Sequence, residues 1–187
     1  RFADGNPRNN DHGAGEFDPR NPSRFSGGDL EGLRQRLNYI QALGATTLWI
    51  TPPVANQWLN ESANYSGYHG YWAEHFMKMD PHFGTLQDYR RLSDALHRRG
   101  MYLVQDIVVN HTGDIIQYGT SRDYNGQVNN TAYIPAEMAE ARAPAFLNVL
   151  SNYHNMGPIK NWGNKGEYQN GDFGGLDDVK TENQEVV

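Results

Sequence analysis

The chain has 187 residues, a formal net charge of -6, no Cys and an aromatic share of 12%, with 11 Tyr against 7 Phe. The acidic balance, without a long run of Lys or Arg, disfavours a nucleic-acid partner, and no stretch approaches the roughly 20 apolar residues of a membrane-crossing helix, so no membrane partner is expected. The lack of Cys excludes disulfides and thiolate metal sites without choosing a compartment.

The chain begins at Arg1 rather than Met, has no visible signal peptide, and stops at Val186-Val187 without a cap or turn signal. Both ends read as cuts. Residues 1–28, rich in Asp, Asn, Gly and Pro, read as a long polar loop. Asp29 is a good N-cap, and Leu30, Leu33, Leu37, Ile40 and Leu43 follow at helical spacing until Gly44. Thr46 to Thr51 is β-branched and aromatic, a short buried strand closed by Pro52-Pro53. A polar and aromatic loop is expected over 54–84. Thr85 to Asp88 is close to a capping box and opens a second helix, with Leu86, Tyr89, Leu92 and Leu96 on its apolar side and Gly100 at its end. Met101 to Val109 reads as a strand covered on both faces. Helix, strand, helix, strand implies βαβ crossovers and a parallel sheet. Residues 110–180 have little periodicity. One helix is expected within Ala136 to Tyr153, on Met138, Ala141 and Ala145 to Leu150, interrupted by Pro144. A loop-rich stretch this long usually has a function.

Three segments carry candidate chemistry. Asp4-Gly-Asn-Pro-Arg-Asn-Asn-Asp11 alternates short oxygen-bearing side chains, as a calcium site does, yet the same residues also form ordinary turns. It is not an EF-hand, because Arg8 takes the third ligand position. Tyr68-His-Gly-Tyr-Trp72 is either a stacking platform for a sugar ring or an aromatic cluster in a core. Asp106-Ile-Val-Val-Asn-His111 ends the second strand, where parallel barrels keep their sites. A structural network of Asp106 with Asn110 is the plainer reading, and His111 is open between metal ligand and core histidine.

The order of these motifs resembles the α-amylase (glycoside hydrolase 13) family. Asp106 to His111 is similar to its D-x-x-x-N-H signature at the third barrel strand. Arg1-Phe-Ala-Asp-Gly-Asn-Pro-Arg-Asn-Asn10 resembles the segment after the first strand in cyclodextrin glucanotransferases and related amylases. Gly27-Gly-Asp29, Thr47 to Pro53, Tyr68 to Trp72 and Asp80-Pro-His-Phe-Gly-Thr85 fall in the family's order, and the match becomes patchy after about Asp114.

The resemblance implies an α/β fold, a partial (β/α)8 TIM barrel with its second and third strands and their helices, plus a loop-rich inserted B domain. Residues 1–109 would be barrel, 110–180 the insertion, and 181–187 the start of the return. It implies a first calcium held by Asp4, Asn6, Asn9, Asn10, the Gly27 carbonyl and Asp29. A second calcium would use Asn110 and Asp178, although Leu176-Asp-Asp-Val179 departs from the usual Pro-Asp-Leu-Asn or Ala-Asp-Leu-Asn pattern. Tyr71 would stack under the glucose ring beside the scissile bond, His69 and His111 would hold that ring, and Asp106 would be a supporting carboxylate. The implied partners are an α-glucan and the rest of the catalytic domain, in a secreted or periplasmic enzyme. Retention needs two carboxylates about 5–5.5 Å apart, which the family takes from its fourth and fifth strands. The chain alone is therefore expected to be inactive and not to fold independently. The rival readings are a transferase of the same family, a non-catalytic glucan-binding relative, and a calcium-stabilised structural module.

Overall fold

The computed structural model describes residues 2–61, 63–139 and 142–186. Arg1, at the head of the resemblance, Ala141, in the expected helix, and Val187 lie outside them. The chain divides into two compact units, Arg1–Gly70 with Lys78–Ile107, and Tyr71–Met77 with Val108–Val187.

In the first unit the expected opening helix is two helices, α1 (Leu30–Gln35) and α2 (Leu37–Ala42). Arg36 breaks them at φ -100° and ψ 8°, and its N–H is shared between the Gly32 and Leu33 carbonyls. Strand β1 (Thr47–Ile50) follows. Residues 54–84 hold strands where a loop was expected: β2 (Val54–Asn56), β3 (Leu59–Asn60), β4 (Tyr65–Ser66) and β5 (Ala73–Met79), the last running from the second unit into the first. Helix α3 (Leu86–His97) starts at the expected cap, and Asp88 completes the capping box despite its short side chain. Strand β6 (Tyr102–Gln105) pairs in parallel with β1, Thr47 opposite Tyr102 and Ile50 opposite Gln105.

Two expectations about these strands are corrected. Strand β6 stops at Gln105 rather than Val109. Its last rung is Asp106 N to Ile50 O at 3.1 Å, and β1 then runs into Pro52-Pro53, which have no N–H to give. Nor are the strands covered on both faces. Trp49, Tyr102 and Val104 are 72%, 68% and 42% exposed. Helix α3 packs on β6, and α1 packs on α3, so one face of this two-stranded sheet is covered and the other is bare among the described residues. On the covered side Phe25, Leu30, Leu37, Phe83, Leu92 and Leu96 form the core.

The second unit is loop-rich. Strands β7 (Gln117–Tyr118) and β8 (Ala132–Tyr133) pair antiparallel, and the helices are the short α4 (Ala136–Ala139) and α5 (Lys165–Asn170). The expected helix over 136–153 is replaced by α4 and two 3-10 turns, Ala145–Asn148 and Leu150–Asn152. Pro144 precedes the first turn, where its ring bars an α-helix from running through. Ile116, Leu147, Tyr153 and Val179 make a small core. The segment around Asp178 is laced to two others: Thr112 N to Asp177 O and His154 N to Asp178 O, both 3.1 Å, and Val179 N to Asn110 O at 2.9 Å.

Candidate functional site

In the first unit the N-terminal loop folds back on helix α1 through one carboxylate. Asp29 Oδ1 caps α1 by accepting from Gly32 N at 2.6 Å, and also accepts from Gly5 N at 3.0 Å. Its Oδ2 accepts from Asn6 N at 2.8 Å and from Asn9 Nδ2 at 3.4 Å. Asp4 Oδ1 accepts from Asn6 N at 3.1 Å, and Asp4 Oδ2 from Asn10 Nδ2 at 2.6 Å. Gly27 has φ +86°, and a Cβ there would lie 2.8 Å from Asp4 Oδ2. Glycine lets the backbone come that close. The six residues expected to hold a first calcium thus meet at one loop–helix junction.

Asn9 and Asn10 are 9% and 4% exposed, and the Oδ1 of each is buried without a hydrogen-bond partner. Leaving such an acceptor unmet costs about 1–3 kcal/mol, and an ion or ordered water is a usual remedy. Two carboxylates beside two unmet amide oxygens form an all-oxygen donor set whose charge balances a divalent ion, which is what calcium takes. Among the described residues no group of three or more His, Asp or Glu converges as a metal site. The Asp4–Asp29 junction sets two carboxylates beside the amides of Asn9 and Asn10.

The sugar-handling candidates divide between the units. His69 and Asp106 belong to the first, Tyr71 and His111 to the second. His69 lies beside Tyr65 and Tyr68, with ring centroids 6.4 and 5.6 Å away. Asp106 is half-buried just past β6. His111 Nε2 is 3.1 Å from the Tyr71 carbonyl. A carbonyl only accepts, so Nε2 carries the proton. Burial lowers the His111 pKa against the opposing pull of that carbonyl and of Asp178, which keeps the ring neutral near pH 7. One ring face stacks on half-exposed Phe173 at 6.2 Å and 17°. Tyr71 and Trp72 are themselves half-buried.

Asn110 Nδ2 donates to Asp178 Oδ1 at 3.0 Å. Asp178 Oδ2 is 2.5 Å from His154 Nδ1, and His154 Nε2 is 2.8 Å from Glu182 Oε1. Burial pulls the His154 pKa down, but the two carboxylates outweigh it and raise the pKa. Neighbouring Asp177 accepts from Ile115 N at 2.8 Å and Ile116 N at 2.9 Å. Burial, and then the charge of Asp172, push its pKa up to about 8. Both carboxylate oxygens of Asp178 are therefore met from within, whereas Asp177 Oδ1 is buried without a partner.

A cavity of about 560 Å³ in the first unit is lined by Phe2, Leu30, Leu33, Trp49, His69 and Phe83 among others. Its mainly apolar wall offers a sugar few hydrogen-bonding partners. Sequence reasoning missed His154, Asp177 and a buried Glu16–His82–Asp80 cluster in the first unit. Asp80 and His82 stood in the Asp80 to Thr85 motif, and Asp177 in Leu176 to Val179, but neither motif gave these three residues a role.

The family model for the α-amylase catalytic domain matches residues 1–187. An α-amylase from Streptomyces lividans is 34% identical over 91% of the chain and 22% of its own length. A cyclomaltodextrin glucanotransferase from Klebsiella oxytoca is 35% identical over 100% of the chain and 28% of its own. The chain thus spans about a quarter of the curated relatives it matches. The crystal structure of an α-amylase from Geobacillus thermoleovorans complexed with acarbose is 32% identical, with a TM-score of 0.64, over 90% of this chain and 31% of that one.

Proposed function

The chain belongs to the α-amylase catalytic-domain family, and from that premise we propose that the full-length protein is a retaining enzyme cleaving α-1,4-glucosidic bonds. On this reading the chain supplies one wall of the cleft. Strands β1 and β6 are the second and third strands of a (β/α)8 barrel, and residues 110–180 are the inserted domain. The bare sheet face and the apolar cavity then receive the rest of the same catalytic domain. The nucleophile and the general acid/base come from outside this chain, which is inactive by itself.

The observation that carries the reading is the tie between the His111 ring and the Tyr71 backbone. It holds the His111 ring against the backbone of Tyr71, the residue that the resemblance sets under the glucose ring beside the scissile bond. A neutral His111 presents Nδ1 as an acceptor for a sugar hydroxyl while Nε2 stays anchored. Tyr71 offers its ring as a stacking face. By the resemblance, Asp106 serves as a supporting carboxylate and His69 as a donor to sugar hydroxyls.

Asp4, Asn6, Asn9, Asn10, Gly27 and Asp29 hold a calcium on this proposal, supported by the unmet Asn9 and Asn10 oxygens. When bound, the ion neutralises the two carboxylates and stiffens the junction of loop and helix. A second calcium at Asn110 and Asp178 would have to displace the His154 ring, so it is the weaker of the two.

The test is activity of the full-length protein on soluble starch and cyclic dextrins, with and without a chelator. Release of reducing sugar that is lost on chelation is expected. No release from any α-glucan by folded, calcium-bound protein would leave a non-catalytic binding relative. The glucanotransferase match over the whole chain favours a second reading, transfer in place of hydrolysis, and cyclic products from starch would select it. Tyr71→Ala should cut activity while leaving stability nearly intact, because a stacking Tyr serves the substrate and a core Tyr serves the fold.

A further inference from the structure

Outside the ligand shell, the first unit buries three ionisable groups in a row. Glu16 and Asp80 are fully buried, and His82 is 3% exposed. His82 Nε2 is 3.0 Å from Glu16 Oε1, and Nδ1 is 3.0 Å from Asp80 Oδ1. A ring with carboxylates at both nitrogens donates to both only when doubly protonated. Trp58 stacks on His82 with centroids 3.5 Å apart and donates its indole N–H to Asp80 Oδ2 at 2.7 Å, where Asn56 N also donates at 3.0 Å. His12 and Phe25 meet the His82 ring edge-on at 4.3 and 5.7 Å. Burial pushes the Glu16 carboxyl up, but His12 N and the His82 ring together hold it below the ordinary value.

Three further contacts, made by this row or beside it, lead to the ligand loop. Glu16 Oε1 accepts from His12 N at 2.6 Å, two residues past Asn10. The Glu16 carbonyl accepts from Phe25 N at 2.8 Å, two residues before Gly27. The carbonyl of Phe83, next to His82, accepts from Leu30 N at 3.0 Å, one residue past Asp29. The six candidate ligands come from three places, residues 4–10, 27 and 29. Glu16 anchors the first two places within two residues, and the third is tied, one residue on, to Phe83, the chain neighbour of His82.

We infer that Glu16, His82 and Asp80 form a strut that sets the calcium affinity of the Asp4–Asp29 loop from outside its ligand shell. The inference rests on the calcium reading above. The strut holds the loop in its binding shape before the ion arrives, so less ordering is left for binding to supply. Its members are positioning residues that touch no ion. Groups at this remove typically change metal affinity 10- to 100-fold.

The experiment measures the calcium dissociation constant of the full-length protein by titration calorimetry, and its melting temperature in excess chelator. Glu16→Gln keeps the shape and an acceptor for His12 N but removes the charge facing His82. It should weaken calcium binding about 10-fold or more, and Trp58→Phe, which spares the ring stack but deletes one donor to Asp80, by a few-fold. Unchanged affinity in Glu16→Gln, with a lower calcium-free melting temperature, would make the cluster purely structural and overturn the inference. Should Glu16→Gln not fold, unchanged affinity in Trp58→Phe would overturn it equally. Failure of the underlying reading looks different: the unmutated protein would bind no calcium, or Asp29→Asn would bind it equally well.

Discussion

The Asp4–Asp29 loop and the Asp172–Asp178 segment both gather carboxylates, but they settle their charge in different ways. In the loop, the carboxylates take backbone and amide N–H groups, while Asn9 and Asn10 Oδ1 stay buried and unmet. In the segment, Asp178 is met by Asn110 and His154, and Asp172 by the Tyr118 hydroxyl at 2.9 Å. The one buried carboxylate oxygen without a partner there is Asp177 Oδ1, on the group whose pKa rises to about 8. A proton and an imidazole do in the segment what a metal ion would do in the loop. Counting acids does not separate the two regions; counting acceptors without donors does.

The largest effect of a single substitution should come from Asp29, where the cap and the loop tie coincide. Asp29→Ala removes an N-cap worth about 1 kcal/mol and leaves the Gly5 N–H unpaired, while Asn6 N keeps Asp4 Oδ1, for a total near 2 kcal/mol. Urea unfolding at saturating calcium measures this, and a cost under about 1 kcal/mol would show that the carboxylate is not the tie. Next comes the ion itself. A hundredfold excess of free calcium over its dissociation constant should stabilise the protein by about 2.7 kcal/mol, reversed by chelator and absent in Asn9→Ala. The same gain in Asn9→Ala would place the ion elsewhere and dissolve the contrast.

Asp177 tests the other side. Its folded pKa is raised, so the native state binds more protons than the unfolded chain between the ordinary value of 3.8 and about 8. Stability should therefore fall as pH rises through that window, by at most about 1.4 kcal/mol per pH unit. Asp177→Asn keeps an acceptor for Ile115 and Ile116 N but has no charge to bury. Its stability should be flatter with pH and should exceed that of the unmutated protein above pH 8. Parallel pH profiles for the two proteins would mean that Asp177 is ionised and matched like its neighbours.

Local signals explain what could be read in the sequence. The Asp29 and Thr85 caps are set by one or two side chains, and β1 and β6 announce themselves through β-branched and aromatic runs. Strand β5 went unread because Ala-Glu-His-Phe-Met-Lys-Met mixes polar and apolar residues, as its half-buried positions allow. The expected helix over 136–153 rested on Ala and Leu content, which Pro144 overrode. The junction of residues 4–10 with Asp29 was legible because its residues are close in sequence. Glu16 and His82 are 66 positions apart, and a lone Glu in a polar loop gives no hint of a buried partner. The pairing of His154 with Asp178, itself a candidate from the sequence, was hidden in the same way, by 24 positions of loop.

The smallest expected effect is at His154, and it bears on whether the segment supplies its own positive charge. The raised pKa of His154 comes from Asp178 and Glu182 outweighing burial. The stabilisation should be fully present below the ordinary value of 6.5 and lost as pH rises through the raised one. The Glu182 side chain is 66% exposed, so solvent screens that half of the pair and the whole should stay within about 1 kcal/mol. His154→Gln can still donate to Asp178 but cannot carry charge or reach both carboxylates. It should therefore lag the unmutated protein most in mild acid, with the gap closing in alkaline solution and shrinking in high salt. Urea midpoints on either side of the titration decide it. A gap independent of pH and salt would assign His154 to packing alone, and Asp178 would then lack the built-in counter-charge that sets this segment apart from the loop.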